Sequence, residues 1–160
     1  MSTLRLPATM ESLNTFRSFV IGKVEEETGL ESIVPRVDVV LEEVLVNVIH
    51  YAYKDEGWIE VECDTSNPEK FRIIVRDWGA AFNPLDRAEP DVTMDIIERE
   101  VGGLGIFLVR NMTNGMSYER KAESNVLTLV FDEEPEVEPG WEGHIDAEPI
   151  EPNPVAGERE

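Results

Sequence analysis

Three short stretches decide how this chain reads: Leu41-Glu-Glu-Val-Leu-Val-Asn-Val-Ile-His50, Arg76-Asp-Trp-Gly-Ala-Ala-Phe-Asn-Pro84 and Gly102-Gly-Leu-Gly105. In the first, Val37, Val40, Leu41, Val44, Leu45 and Val48 recur at helical spacing and form an apolar stripe. Glu43 and Asn47 lie four residues apart, so they project together from another face of the same helix. An Asn amide oxygen is a hard neutral ligand suited to Mg²⁺, which keeps several waters and binds triphosphate oxygens. A carboxylate one turn away can orient or deprotonate an attacking hydroxyl or water. In the second stretch, Asp77 closes an apolar strand, where a buried carboxylate needs a strong donor; the exocyclic amine of adenine would serve. Gly79 lets the backbone approach the purine or adopt positive φ. In the third, Gly102, Gly103 and Gly105 precede a helix, so free N–H groups and the positive end of the helix dipole face the loop, an arrangement that binds phosphate.

Each stretch alone has an ordinary explanation: a solvated polar face, a strand-to-turn boundary, a flexible hinge. The glycine turn is neither a Walker A loop, since no Gly-Lys-Ser/Thr follows, nor a dinucleotide fingerprint, since no tight strand-Gly-helix unit precedes it. Together, in this order and with a lid-sized loop between the last two, the three read as an ATP site.

Outward from these stretches, residues 3–6 read as a short edge strand ended by Pro7, and residues 10–28 as a helix with Gly29 as its C-cap. Pro35 opens the helix that carries Glu43. Residues 58–63 alternate as a strand paired with 71–75 across a turn at 65–70. Residues 78–101 lack a strong period and read as a functional lid or a disordered loop. A helix over 104–112 stops at Asn114-Gly115, and 116–121 with 126–131 form a last hairpin across Ala122-Glu-Ser-Asn125. This order predicts an α+β two-layer sandwich, with helices on one face of a mixed, mostly antiparallel sheet.

The 160 residues suffice for one domain with a sizeable core. A net charge of −20 argues against nucleic acid as a partner, because phosphate backbones demand basic patches. No apolar run approaches the roughly 18 residues of a membrane span, and the start shows no basic region ahead of an apolar stretch, so a cytoplasmic protein without a membrane partner is expected. Cys63 is the single cysteine and falls in an alternating strand, where it reads as buried filler. His50 and His144, without a Cys/Asp cluster, do not make a metal site. From Asp132 to Glu160 there are 11 acidic residues against one Arg, with five of the ten prolines. That composition predicts a disordered tail, with Trp141 and Ile145 as its apolar exceptions.

The three boxes are similar to those of the GHKL ATPases, the group of gyrase and the histidine kinases. Within it, residues 3–131 resemble the anti-sigma factor serine/threonine kinases. The features that carry this are the Glu43-to-Asn47 helix ending in Tyr51-Ala-Tyr53, the run Asp77-x-Gly-x-x-Phe-x-Pro84, Glu89-Pro-Asp-Val-Thr93, and Gly102-Gly-Leu-Gly-Ile-Phe-Leu-Val-Arg110. The resemblance implies a GHKL (Bergerat) fold over 1–131, with ATP and Mg²⁺ as cofactors. It implies Glu43 as catalytic base and Asn47 as Mg²⁺ ligand. Asp77 and Gly79 would bind adenine, and Gly103, Leu104 and Gly105 would line the phosphates. The implied reaction moves the γ-phosphoryl of ATP to a Ser or Thr of an anti-anti-sigma (STAS) partner; a sigma factor is a further implied partner, and a homodimer the implied assembly. Relatives often carry His-Ala-Tyr where this chain has Tyr51-Ala-Tyr53, and an arginine in the first helix for partner contacts, for which Arg17 is the nearest candidate. Two other functions stay open: a binding module that uses ATP without transferring phosphate, and a detached histidine-kinase ATP domain, against which the lack of a phospho-acceptor helix pair weighs.

The composition of the tail yields a direct test. Truncation after Asp132 is expected to leave a folded domain with unchanged nucleotide binding. A truncated chain that fails to fold would place Trp141 and Ile145 in the core.

Overall fold

The computed structural model describes residues 1–84 and 103–133. Most of the lid expected over 78–101, with Glu89 to Thr93, and the acidic tail beyond Glu133 lie outside the described residues. Strand β1 (Ser2–Pro7) leads into α1 (Met10–Glu27), a 3₁₀ turn (Glu31–Ile33) and α2 (Val34–Tyr51). The hairpin β2 (Trp58–Asp64) and β3 (Phe71–Asp77) follows, then α3 (Gly103–Met112) and the hairpin β4 (Gly115–Lys121) and β5 (Ser124–Phe131). The strands form one sheet in the order β1-β2-β3-β5-β4, and all four pairings are antiparallel.

Alternation sorts the strand residues into two faces. Across the sheet, Leu4, Val61, Val75, Leu127 and Tyr118 stand in register in one row, and Leu6, Ile59, Asp77, Asn125 and Arg120 in the next. The apolar members of this face join Leu13, Phe16, Val20 and Val24 of α1, Val37, Val40, Leu41, Val44 and Leu45 of α2, and Val109 of α3 in one buried cluster. The fully buried Phe16, Phe71 and Phe131 are its largest side chains; burying such a side chain contributes about 1.5–3 kcal/mol. The opposite face carries Arg5, Glu60 and Arg76 in register, with Arg76 and Glu60 paired at 3.2 Å. This is the two-layer α+β sandwich that the sequence predicts, with helices on one face.

Local chemistry fixes the element ends. Pro35 sits in the first turn of α2, where a missing N–H costs nothing. At the end of α1 the cap is Thr28, not Gly29: both the Thr28 N–H and its hydroxyl donate to the Val24 carbonyl, at 3.2 and 2.6 Å. Thr28 has extended backbone there, so the left-handed residue that a Gly cap supplies is not needed. The last hairpin is tighter than its sequence implies. Ala122 takes φ 56° in a two-residue turn, and β5 begins at Ser124, so Asn125 belongs to the strand instead of the loop.

Two arginines tie neighbouring elements together. Arg17 of α1 makes a two-pronged pair with Asp38 of α2, at 2.7 and 2.8 Å, and holds that carboxyl below its usual range. Arg36 of α2 donates to the Met112 carbonyl at 3.1 Å, to Asn114 Oδ1 at 3.0 Å and to the Asp132 carbonyl, so one guanidinium ties α2 to the ends of α3 and β5.

Cys63 is 1% exposed, and burial pushes its thiol up to about 12. At pH 7–8 the native protein is therefore expected to leave a disulfide-exchange probe such as Ellman's reagent unreacted for hours, and to release one equivalent on unfolding in guanidinium. Stoichiometric reaction of the native protein within minutes would contradict this placement.

Candidate nucleotide site

Between the inner face of the sheet and helices α2 and α3 lies a pocket of about 340 Å³. Helix α2 contributes Val44, Asn47, Val48, Tyr51 and Ala52, and the sheet contributes Val75, Asp77, Met116, Tyr118, Asn125 and Leu127. Val109 of α3 and the segment after β3, with Ala80, Phe82 and Pro84, complete it. The lining is mostly apolar with a few polar groups, the usual composition of a small-molecule site. Val44 and Val48 serve two purposes. They pack with the core, as their place on the stripe implies, and they also form the wall of the pocket.

Asn47 and Asp77 come from elements thirty residues apart in sequence and line this one cavity. Asp77 is the last residue of β3 and is 6% exposed. Its Oδ1 accepts from the Gly79 N–H at 2.9 Å and from Asn125 Nδ2 at 2.9 Å; Oδ2 takes no hydrogen bond from any described residue. Gly79 is buried, and its φ is not in the left-handed region. The need for glycine is steric: a Cβ there would stand 2.3 Å from the Ala52 carbonyl oxygen at the end of α2. The neighbouring Ala80 N–H donates to that same carbonyl at 3.4 Å.

Tyr53 holds the other side of the loop. Its hydroxyl donates to the Trp58 carbonyl and accepts from the Trp78 N–H, both at 2.7 Å, and burial raises its phenol above the ordinary value. Its ring lies against Gly57, where a Cβ would meet it at 2.4 Å. Trp78 in turn receives the Arg5 guanidinium 4.5 Å from its ring centre. Tyr51 is 58% exposed and stands at the pocket edge.

Glu43 lies one turn before Asn47 on α2, half-buried like Asn47, but it is not among the residues that line the pocket. Gly103, Leu104 and Gly105 form the first turn of α3 instead of preceding the helix. The first turn of a helix has N–H groups without helical partners, which are donors that an anion can use. Gly102 lies outside the described residues. Arg17, the candidate for partner contacts, is engaged with Asp38. His50 is exposed on α2. Among the described residues no group of three or more His, Cys, Asp or Glu could hold a metal ion.

The sequence reading missed Asn125 and Tyr118. Parity carries the missing signal: residues 125, 127, 129 and 131 share one face, and an Asn in phase with Leu127, Leu129 and Phe131 points at the core. Treating 122–125 as a loop hid that phase.

A family model described as a histidine kinase-like ATPase domain matches residues 6–131. The chain belongs to this family. Membership implies ATP binding and makes the pocket of Asn47 and Asp77 the candidate place for it. As a histidine kinase-like ATPase domain, the chain is also similar to the serine/threonine-protein kinase BtrW of Bordetella bronchiseptica. That match is 31% identical over 64 residues, 40% of this chain and 45% of the relative, so it spans less than half of BtrW. Among solved structures, the histidine kinase domain of a blue-light activated histidine kinase from Erythrobacter litoralis aligns with 76% of this chain and 59% of its own, at 15% identity and a TM-score of 0.44. None of the described helices is long and apolar enough to cross a membrane.

The Gly79 contact generates a sharp expectation. Gly79→Ala must displace the end of α2 or the loop, at about 1–3 kcal/mol as for other overpacked sites. Its nucleotide affinity is expected to fall together with its melting temperature. An alanine variant of wild-type stability and affinity would show that the close approach to Ala52 is not maintained in solution.

Proposed function

We propose that this domain is an ATP-dependent serine/threonine protein kinase acting as an anti-sigma regulatory factor, which phosphorylates a Ser or Thr of a STAS-type anti-anti-sigma partner. The observation that carries the reading is the meeting of Asn47 and Asp77 in one apolar pocket, with Glu43 one helical turn from Asn47. The likeness to BtrW, named a serine/threonine-protein kinase, supports the class of reaction. The regulatory role and the partner rest on the sequence resemblance.

In this reading Asp77 accepts the exocyclic amine of adenine while Val44, Val48, Val75 and Leu127 enclose the base. The first turn of α3 offers N–H groups to the phosphates. Asn47 would hold Mg²⁺, which when bound neutralises charge on the triphosphate oxygens. Glu43 accepts the proton of the partner's hydroxyl. Phosphoryl transfer demands mainly positioning and charge neutralisation, which suits a site built from rigid elements.

One observation favours a second reading. Glu43 stands outside the pocket lining, which fits a module that binds ATP and sequesters a regulator without transferring phosphate.

The two readings separate on paired variants, assayed with γ-labelled Mg-ATP and a STAS-fold protein encoded in the same genome. For a kinase, Glu43→Gln is expected to keep nucleotide affinity within a few-fold while transfer falls by about 10²–10⁴-fold, the usual contribution of a general base. Asn47→Ala is expected to lose metal-dependent binding itself. A wild-type protein that binds the partner in an ATP-dependent way, yet labels none, would establish the second reading.

A further inference from the structure

Asn125 is a buried and heavily engaged polar side chain, at 6% exposure. Both its amide hydrogens are used, one by Asp77 Oδ1 at 2.9 Å and one by the Ala80 carbonyl at 2.8 Å. Its oxygen accepts from the Tyr118 hydroxyl at 2.5 Å, from Arg120 at 3.1 Å and from the Phe82 N–H at 3.2 Å. These partners also fix which way the amide points: a flipped amide would set its oxygen against a carboxylate and its N–H₂ against three donors.

We propose that Asn125 is a positioning residue that gives the site its preference for a 6-amino over a 6-oxo purine, acting through Asp77. The inference rests on the reading of the pocket as a nucleotide site with Asp77 at the base. A carboxylate held at one oxygen presents the other as a fixed acceptor. Here Oδ1 is consumed by Gly79 and Asn125, which leaves Oδ2 as the acceptor offered to the pocket. An Asn beside a purine could otherwise serve either kind of base, because its amide turns to offer a donor or an acceptor. With both hydrogens committed, Asn125 has no donor for a keto oxygen. The pair Asp77–Asn125 therefore shows the base an acceptor and nothing else. A 6-amino group is matched, while a 6-oxo group would place oxygen against carboxylate oxygen.

The β4–β5 hairpin supplies the rest of the hold. Arg120 donates to the Gly79 carbonyl at 2.9 Å as well as to Asn125, so the loop after β3 is fixed from the hairpin before any ligand arrives.

The test compares ATP with inosine triphosphate, which differs at position 6, by isothermal titration of the full chain. The wild type is expected to prefer ATP by at least about tenfold, the order of one hydrogen bond to a charged group. Asn125→Ala is expected to cut that preference by about tenfold, chiefly through weaker ATP binding, with affinity for the inosine nucleotide within about threefold of wild type. A merely structural role would weaken both nucleotides by one factor and keep the ratio, and that outcome overturns the proposal. Should Asn125→Ala fail to fold, Arg120→Met decides: it removes one donor to Asn125 and the brace on Gly79, and is expected to lower the preference two- to threefold, whereas an unchanged ratio overturns the proposal. A wild type that binds both nucleotides alike refutes this inference alone, and a wild type that binds neither refutes the reading of the pocket itself.

Discussion

The site depends on one close approach: the backbone at Gly79 lies so near the Ala52 carbonyl that no side chain fits between them. That contact brings the C-terminal turn of α2 against the end of β3. Without it, Asn47 and Asp77 would belong to separate walls. It also explains why a segment rich in polar backbone can follow β3 at a buried position. The Ala52 carbonyl is one of the unpaired acceptors at the end of a helix, and it takes the Ala80 N–H. Tyr53, one residue further on, clamps the same loop through the Trp78 N–H. Two consecutive residues at the end of a helix thus position the segment that follows the central strand.

Much of this architecture was legible from periodicity. The stripe Val37 to Val48 defined α2, alternation defined β2 and β3, and the order of elements fixed the two-layer class. What failed to read were the places where tertiary contacts override local propensity. Gly29 looked like a helix cap, but Thr28 supplies two donors to Val24 and needs no left-handed residue. Asn125 looked like a turn residue because Asn favours turns, yet strand pairing with Asp77 places it in the sheet. Gly79 was legible as a required glycine, but the contact with Ala52 was not and positive φ is not the reason; a close contact from another element has no signature in local sequence. Of the pocket lining, Asn47 and Asp77 stood out by chemistry and spacing, whereas Tyr118 and Asn125 required the register.

The buried pair Asp77–Asn125 shows how the fold tolerates a carboxylate in an apolar sheet. A carboxylate there is costly unless donors surround it. Two neutral donors, the Gly79 N–H and the Asn125 amide, meet one oxygen, and no basic side chain pairs with it among the described residues. A two-pronged salt bridge such as Arg17–Asp38 would have used both oxygens and closed the position to a ligand. Neutral partners stabilise one oxygen and leave the other available.

Electrostatics pose the last constraint. A chain of net charge −20 repels a triphosphate at long range, since the summed field extends about a Debye length, roughly 8 Å at physiological salt. Affinity for such a ligand must come from short-range groups that outweigh this field. The pocket supplies them in two forms. On the proposed reading, the apolar enclosure by Val44, Val48, Val75 and Leu127 is indifferent to charge and takes the base end of a nucleotide. The first turn of α3 offers backbone N–H groups, donors that carry no countercharge to be screened. On the proposed reading, a divalent cation at Asn47 completes the compensation, bound largely through the phosphates themselves. The acidic surface then favours metal-bound over bare nucleotide, which is the form that phosphoryl transfer requires.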